Sequence, residues 1–547
     1  MCHSFDSIII ANKFMFVKCN WCKTQENENR IVFGILLGIE VLVLVLVCLG
    51  GVPRELVLVS NGLLLFYFIF SKAEDGLILF IASIPIFVAL PISESFDSMS
   101  AGRLFILILF LKWLFEKRST IWSKFKSLGF KEIFKNYRLE LFSVILFIIL
   151  ALSIMNAVDL GAGVKKLIYL LNLSVIFIMV KDLVKDKKYL KRIIKAVLIS
   201  FSIVFLIGLL QLISVYFFTI GRFWDWWAGH ISYNFYGENL KQIVKNTNAW
   251  FAASPSGPSV IRLFGSFTDP HSFALYLLLV CPFLYVFIFP ILKDIKVKWK
   301  DFRKIRFNKW FLGVVFILTL FFIILSGTRG IWITAMCGFV AAIFLFIIRK
   351  DLHRSVSYIL LTILIFIALI PMASIFTTIP QFKEKADPDA ALILKRLSSI
   401  LDINETSNQG RIYIWKKTLE SIKKSPLLGV GIGNFPIVLE QDIKLAKAGS
   451  SAHNLYLNFA AEGGILSFLM VVLIFLEILI VIFKVLKSEI SPKIRLLVTG
   501  IFIYSFWIFA YSFFDIALLD ERVFLLFLTI VGIVFAIKNN KELQSYE

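Results

Sequence analysis

Apolar runs of the length that crosses a bilayer recur along the whole of this 547-residue chain. A spanning helix needs about 20 mostly apolar residues, with a range of about 17–25. That ruler marks runs at 32–52, 56–71, 76–92, 100–115, 141–157, 165–180, 196–218, 271–292, 310–326, 331–348, 356–372, 463–486, 496–513 and 523–537. The runs at 56–71 and 100–115 are short, so the count is twelve to fourteen. A hydrophobic content of 59% points the same way, since soluble domains hold roughly 45–50%. The fold class expected is all-α, a polytopic transmembrane helical bundle.

The formal charge of +21 would suit a nucleic-acid binder, but the basic residues fall between apolar runs rather than on one soluble face. Residues 116–140 and 181–195 carry seven Lys or Arg each, and 293–309 carry eight. These stretches follow the fourth, sixth and eighth runs, and shorter basic stretches at 349–354 and 484–495 follow the tenth and twelfth. Basic loops mark the cytoplasmic side, which also puts both termini inside. Two long segments, 219–270 and 373–462, then lie on the opposite face, where long loops are usually functional. The chain divides into a cytoplasmic segment (1–30), a first helical block (31–218), an outer loop (219–270), central helices (271–372), a large extracytoplasmic loop (373–462) and the last helices with a short tail (463–547).

The first 30 residues lack the apolar core and small-residue cleavage site of a signal peptide. They hold Cys19 and Cys22 in a CxxC spacing, with Cys2 and His3 nearby. One such pair on the reducing side is a weak metal signature, and no metal is assigned. Cys48, Cys281 and Cys337 lie within apolar runs and read as packing residues.

Few residues on the outer face can do chemistry. Of five histidines, His230, His271 and His453 face outward, and His453 alone joins a long loop to a membrane helix, in "SSAHNLYLNFAAEGG". Arg329 sits in "LSGTRGIWI", a very short turn between two apolar runs. A cation at that depth needs a partner or a water-filled cavity. Gly327 and Gly330 beside it permit a tight turn and close backbone approach. Arg262 precedes the eighth run in "RLFGSFTDP", where Asp269 is placed to cap the next helix. Arg411 is read as opening an amphipathic helix in "GRIYIWKKTLESIKK", an unfavourable end for a cation and so a sign of an anion nearby. "GVGIG" lacks the lysine and spacing of a nucleotide loop and reads as a close-packed turn. A guanidinium fork suits phosphate oxygens, and His is the usual proton acceptor for a hydroxyl. Together they suit transfer of a group from a phosphate-bearing donor to a hydroxyl, with no cytoplasmic energy source.

"SGTRG", then "GRIYIW…SPLLGVGIGNF", then "AHNLYLNFAAEGGILSFL" resemble the O-antigen ligase and polymerase superfamily, over roughly residues 315–480. "RLFGSFTDP" resembles a further element, departing from it at His271, where an asparagine is expected. The resemblance implies a GT-C-like, metal-independent, inverting membrane glycosyltransferase without cofactor, in the bacterial inner membrane with its site on the periplasmic or outer face. The implied donor is a glycan on undecaprenyl diphosphate. The acceptor is lipid A core for a ligase, another glycan for a polymerase, or a protein hydroxyl for an O-oligosaccharyltransferase. Carried over by motif, Arg262, Arg329 and Arg411 hold the diphosphate, and His453 orients or deprotonates the acceptor. Asn454, Tyr456 and Glu462 shape the acceptor pocket, though Glu462 also reads as a helix-start carboxylate. The aromatic stretch 221–240 is open between sugar binding and an interfacial belt. The rival from another class is a flippase for lipid-linked oligosaccharide. Against it stand few ionisable residues within spans, Glu40 and Glu477 being the clearest, and no internal repeat.

Overall fold

The computed structural model describes the chain apart from residues 1–30, 93–98, 128, 130, 131, 133, 135, 215, 246–250, 255, 256, 294–306, 377–405, 442–450, 546 and 547. The Cys2–Cys22 segment therefore lies outside the described residues.

Every predicted apolar run overlaps a helix. The first block holds α1 (Ile31–Cys48), α2 (Leu56–Phe70), α3 (Ala73–Ser83), α4 (Ala101–Ser127), α5 (Arg138–Ser153), α6 (Leu160–Leu183) and α7 (Lys187–Ser214). The 219–270 segment holds α8 (Ile220–Trp226), α9 (Tyr233–Lys245) and a hairpin, β1 (Phe251–Ser254) with β2 (Gly257–Ile261), paired antiparallel with Phe251 opposite Ile261. Next come α10 (Pro270–Lys293), α11 (Phe307–Leu325), α12 (Arg329–Ile348), α13 (His353–Phe376) and α14 (Thr406–Lys424). The chain closes with α15 (Leu455–Lys487), α16 (Pro492–Tyr511), α17 (Glu521–Asn539) and α18 (Lys541–Gln544). Among the described residues nine helices are long and apolar enough to cross a membrane. This is a multi-pass membrane protein. Helix α10 is 89% buried over its span against 17% for α1, which puts α10 at the centre and α1 at the rim.

The run at 76–92 is shorter as a helix than its apolarity predicts. Helix α3 covers 11 residues and passes into a 3-10 turn at Ile84–Ile86. Pro85 removes a backbone donor there, and the chain continues extended, with Ala89 N donating to Phe235 O at 2.9 Å. Residues 77–90 are buried in protein, so burial rather than lipid accounts for their composition. Cys337 is a second correction. Cys48 and Cys281 are buried, but Cys337 is exposed on α12, the helix that also exposes Val340, Phe344 and Ile347. Lipid-facing positions are as apolar as packed ones, so composition does not separate them.

The two predicted faces appear as the two ends of the bundle. At one end, Asn156 donates to Gly429 O, Ile432 N to Ser153 Oγ, Arg522 Nη2 to Phe87 O and Leu455 N to Ser512 O. At the other end, segments next to the basic loops meet: Arg349 donates to Leu486 O, Asn540 to Lys185 O and Ser491 N to Gln544 O.

The "GVGIG" turn docks onto α15. Gly464 interrupts that helix with φ +77°, and the bond that Ala461 O would accept from Ile465 is replaced. Val430 N donates to Ala461 O, and Ile465 N donates to Pro426 O, both at 2.8 Å. A Cβ on Gly429 would stand 2.2 Å from Ala461 O, and one on Gly464 2.0 Å from Leu427 O. The glycines serve close packing, as their sequence context predicts.

Candidate active site

The three arginines and His453 converge at the loop end. Both "RLFGSFTDP" and "SGTRG" are built into one joint. Leu263 N donates to Leu325 O (3.1 Å) and Arg262 Nε to Ser326 O (2.7 Å). Gln211 Oε1 accepts from Phe264 N and Gly265 N at 3.0 and 2.8 Å, satisfying the turn from inside the bundle. Asp269 caps α10 as expected, accepting from Ser272 N at 2.9 Å. Trp224 and Trp227 of the aromatic stretch pack edge-on against Phe264, each with ring centroids 5.9 Å away. Those two rings roof the joint.

Gly327 takes φ +65°, turning the chain so that Arg329 begins α12. A Cβ on Gly330 would meet the Tyr511 ring at 2.9 Å, so this glycine lets α12 approach α16. Arg262 and Arg329 are close enough to act on each other. Burial, aided by the Arg329 charge, pushes the Arg262 guanidinium down to about 10 despite Asp269, Tyr511 and Asp515. It is still a cation at neutral pH. Two like charges held together in a part-buried site favour an anion between them.

Arg411 requires a correction. Helix α14 begins at Thr406, so Arg411 is its sixth residue and does not open it. The polar run 406–410 is helical, and the dipole argument, confined to the first turn, no longer applies. Its position is set instead by Trp415 one turn on, whose Nε1 donates to Ala452 O at 2.9 Å and ties α14 to the residue just before His453. The Arg411 charge acts on His271, Tyr511 and Asp515.

His453 has φ +44°, one of two non-glycine residues in the left-handed region among those described. Such a conformation costs of order 1–3 kcal/mol and recurs at functional sites. Its Nδ1 lies 3.4 Å from Asp515 Oδ2. Asp515 Oδ1 accepts from Ala517 N at 2.9 Å, fixing the carboxylate. His271 Nδ1 lies 3.7 Å from the same Oδ2 and 2.7 Å from the Tyr511 hydroxyl. Burial alone would raise the Asp515 carboxyl, but His271, His453 and Arg411 outweigh it and hold it well below the usual carboxylate range. Asp515 is thus a carboxylate shared by two imidazoles, and His271 stands one residue removed from His453.

The residues assigned to an acceptor pocket are each held by contacts within the bundle. Asn454 caps α15, its Oδ1 accepting from Leu457 N at 3.0 Å. Tyr456 donates to Phe509 O at 2.8 Å and is buried. Glu462 lies within α15 rather than at a helix start and is gripped by Lys166 at 2.7 Å. Sequence reasoning missed Asp515, Tyr511 and Lys166. The available signal for Asp515 was topological: "FFDIALLDER" is the turn between the last two spans, on the same face as His453.

Beside His453 an apolar groove of about 280 Å³ runs between α5, α6, α15 and α17, from Leu455 and Leu519 at this end to Leu139 and Glu140 at the other.

Residues 314–472 match the family model described as O-antigen ligase. A search of curated proteins found no match to the chain. The O-antigen ligase segment contains Arg329, Arg411, His453 and Glu462, while Arg262, His271, Tyr511 and Asp515 come from outside it and complete the same cluster. The match supports a membrane glycosyltransferase-like chemistry of the ligase or polymerase kind.

Proposed function

We propose that this protein transfers a glycan from undecaprenyl diphosphate to an acceptor hydroxyl on the periplasmic or outer face of the bacterial inner membrane, with both termini cytoplasmic. The observation that carries the reading is the convergence of His453, held by Asp515, with Arg262, Arg329 and Arg411 at one end of the bundle.

With Nδ1–H directed at Asp515, the other ring nitrogen, Nε2, is left as the proton acceptor. The acceptor oxygen attacks the anomeric carbon as its proton passes to Nε2. The bond from that carbon to the phosphate oxygen breaks, and its electron pair leaves with the diphosphate. Negative charge grows on the leaving group, where fixed guanidinium groups stabilise it best when water is scarce. Attack opposite the leaving group inverts the anomeric centre. The His453 end of the groove accommodates the first part of the polyprenyl tail. Asn454, Tyr456 and Glu462 act by positioning α15 beneath the acceptor. Positive charge comes from arginine, so the reaction is expected to need no metal or cofactor.

The test is transfer by purified protein in nanodiscs from an undecaprenyl-diphosphate glycan, with chelator and without ATP, for wild type, His453→Ala and Arg329→Ala. Transfer lost in both variants supports the reading. The acceptor that works, among lipid A core, glycan and protein, separates ligase from polymerase from O-oligosaccharyltransferase. Movement of intact donor across the bilayer with no transfer to any acceptor would sink it in favour of a flippase.

A further inference from the structure

The groove has a second end. Each of its four bounding helices carries a cation at the end away from His453: Arg138 starts α5, and Lys181, Lys484 and Lys538 lie in the last turns of α6, α15 and α17. Lys538 feels the charges of Lys484 and Lys181 as well as those of Glu477 and Glu140. Arg138 reaches Glu477 at 3.9 Å, and Lys181 pairs with Glu140. Lys181 also lies over the rings of Tyr137, Phe177 and Phe535 at 4.9, 5.8 and 5.6 Å. Four cations face two carboxylates, an excess of two positive charges at the mouth of an apolar groove. Helix dipoles favour a cation at each C-terminus separately, but they do not account for convergence from four helices.

We infer that this end binds an anionic glycerophospholipid of the leaflet opposite the His453 site, its phosphate among Lys484, Lys538 and Arg138 and one acyl chain in the adjoining part of the groove. Val144 and Ile178 line the groove and are exposed toward lipid, which gives the chain a lateral entry. Ser143 and Ser174 are the hydroxyls along the wall. Glu140 Oε2 is buried there without a hydrogen-bond donor among the described residues, an acceptor for a headgroup hydroxyl such as that of phosphatidylglycerol. Basic pockets between membrane helices select anionic headgroups in this way. The inference does not depend on the glycosyl-transfer reading, because none of its residues belongs to the arginine–histidine cluster.

The experiment is native mass spectrometry of the full chain in detergent, titrated with phosphatidylglycerol or phosphatidylcholine of identical acyl chains. Wild type is expected to hold phosphatidylglycerol at least about tenfold more tightly. The Lys484→Gln/Lys538→Gln double variant should lose that preference while Lys417→Gln, at the opposite end, keeps it. A matched thermal unfolding curve shows that the double variant is folded. If it is not, Arg138→Gln is titrated in its place and must also lose the preference. Equal affinity for the two lipids, or a preference intact in the substituted groove, would overturn the inference. So would displacement of phosphatidylglycerol by undecaprenyl phosphate, which would assign the whole groove to the donor tail.

Discussion

Asp515 Oδ2 stands 3.4 Å from His453 Nδ1, joining residues 62 apart in the chain across the mouth of the bundle. In the proposed reaction the carboxylate takes the Nδ1–H of the ring and leaves Nε2 to accept the proton. Asp515→Asn keeps the volume but can present its amide N–H to the ring, favouring the wrong tautomer. Transfer should fall on the order of 10²–10⁴ in kcat, with donor affinity little changed. Because Asp515 also faces His271, His271→Asn should cost far less than the loss of Asp515. Measured kcat for Asp515→Asn within threefold of wild type would remove Asp515 from the mechanism.

The arginines predict a different pattern. Burial lowers the Arg262 guanidinium and the Arg329 charge adds to it, while Asp269 opposes the shift; in the proposed reaction the two arginines bind the diphosphate. Arg329→Ala and Arg262→Ala should each lower kcat about 10²–10³-fold. Arg329→Lys should recover only part, since an ammonium lacks the planar fork. A donor-binding assay must show the alanine variants weakened, and unchanged binding with unchanged kcat would assign these cations to folding alone.

Much of this was legible in the sequence, and for a physical reason. Lipid imposes long apolar helices, so the helical spans could be read from period-free composition. The 76–92 run shows the limit: a segment buried in protein and one facing lipid look alike, and only Pro85 hinted that the helix stops early. The site was half legible. Arg329 and His453 sit in short, punctuated motifs. Asp515 lies in an ordinary turn, and its importance comes from a contact that no local pattern encodes. The Arg411 reading failed because helix α14 starts in a polar run, Thr406–Gly410, with no hydrophobic period to mark it.

Helix α15 depends on a backbone that only glycine fits easily. At Gly464, φ is +77° and a Cβ would lie 2.0 Å from Leu427 O, while the adjacent Ile465 N is spent on Pro426 O. Gly464→Ala must move the docked turn or straighten the kink. A loss of at least about 2 kcal/mol follows from strain and clash together. It should appear as a lower unfolding midpoint in detergent, and since the turn leads from α14 toward His453, transfer should fall as well. An unchanged midpoint would show that the turn is not held by this kink.

Lys166 and Glu462 form a part-buried pair, 29% and 3% exposed at their side chains. Removing Lys166 strands a carboxylate inside the bundle, which typically costs 3–5 kcal/mol, with the lower part of that range expected here because Lys166 reaches solvent. Lys166→Met alone should therefore destabilise more than Lys166→Met/Glu462→Leu. If the double variant also regains transfer, Glu462 positions α15 and does not touch the acceptor. A stable double variant without transfer would return Glu462 to the acceptor pocket.

Asp520 gives the protein a pH dependence of its own. Burial, reinforced by the Asp269 carboxylate, pushes its carboxyl up to about 7, although Arg522 and Val523 N oppose the shift. The native state therefore keeps a proton that the unfolded chain, near 3.9, has already released. A raised native value stabilises fully below the unfolded value, and that contribution is lost as pH climbs from about 4 through 7. Wild type should thus unfold at a lower temperature at pH 8 than at pH 5.5. Asp520 also caps α17, accepting from Arg522 N at 3.1 Å and Val523 N at 3.3 Å, and an asparagine oxygen can do the same. Asp520→Asn should keep the cap, abolish the titration and flatten the slope, with its largest gain over wild type at the alkaline end. Unfolding midpoints recorded across that range decide it: parallel curves for the two proteins would mean that Asp520 is ionised throughout.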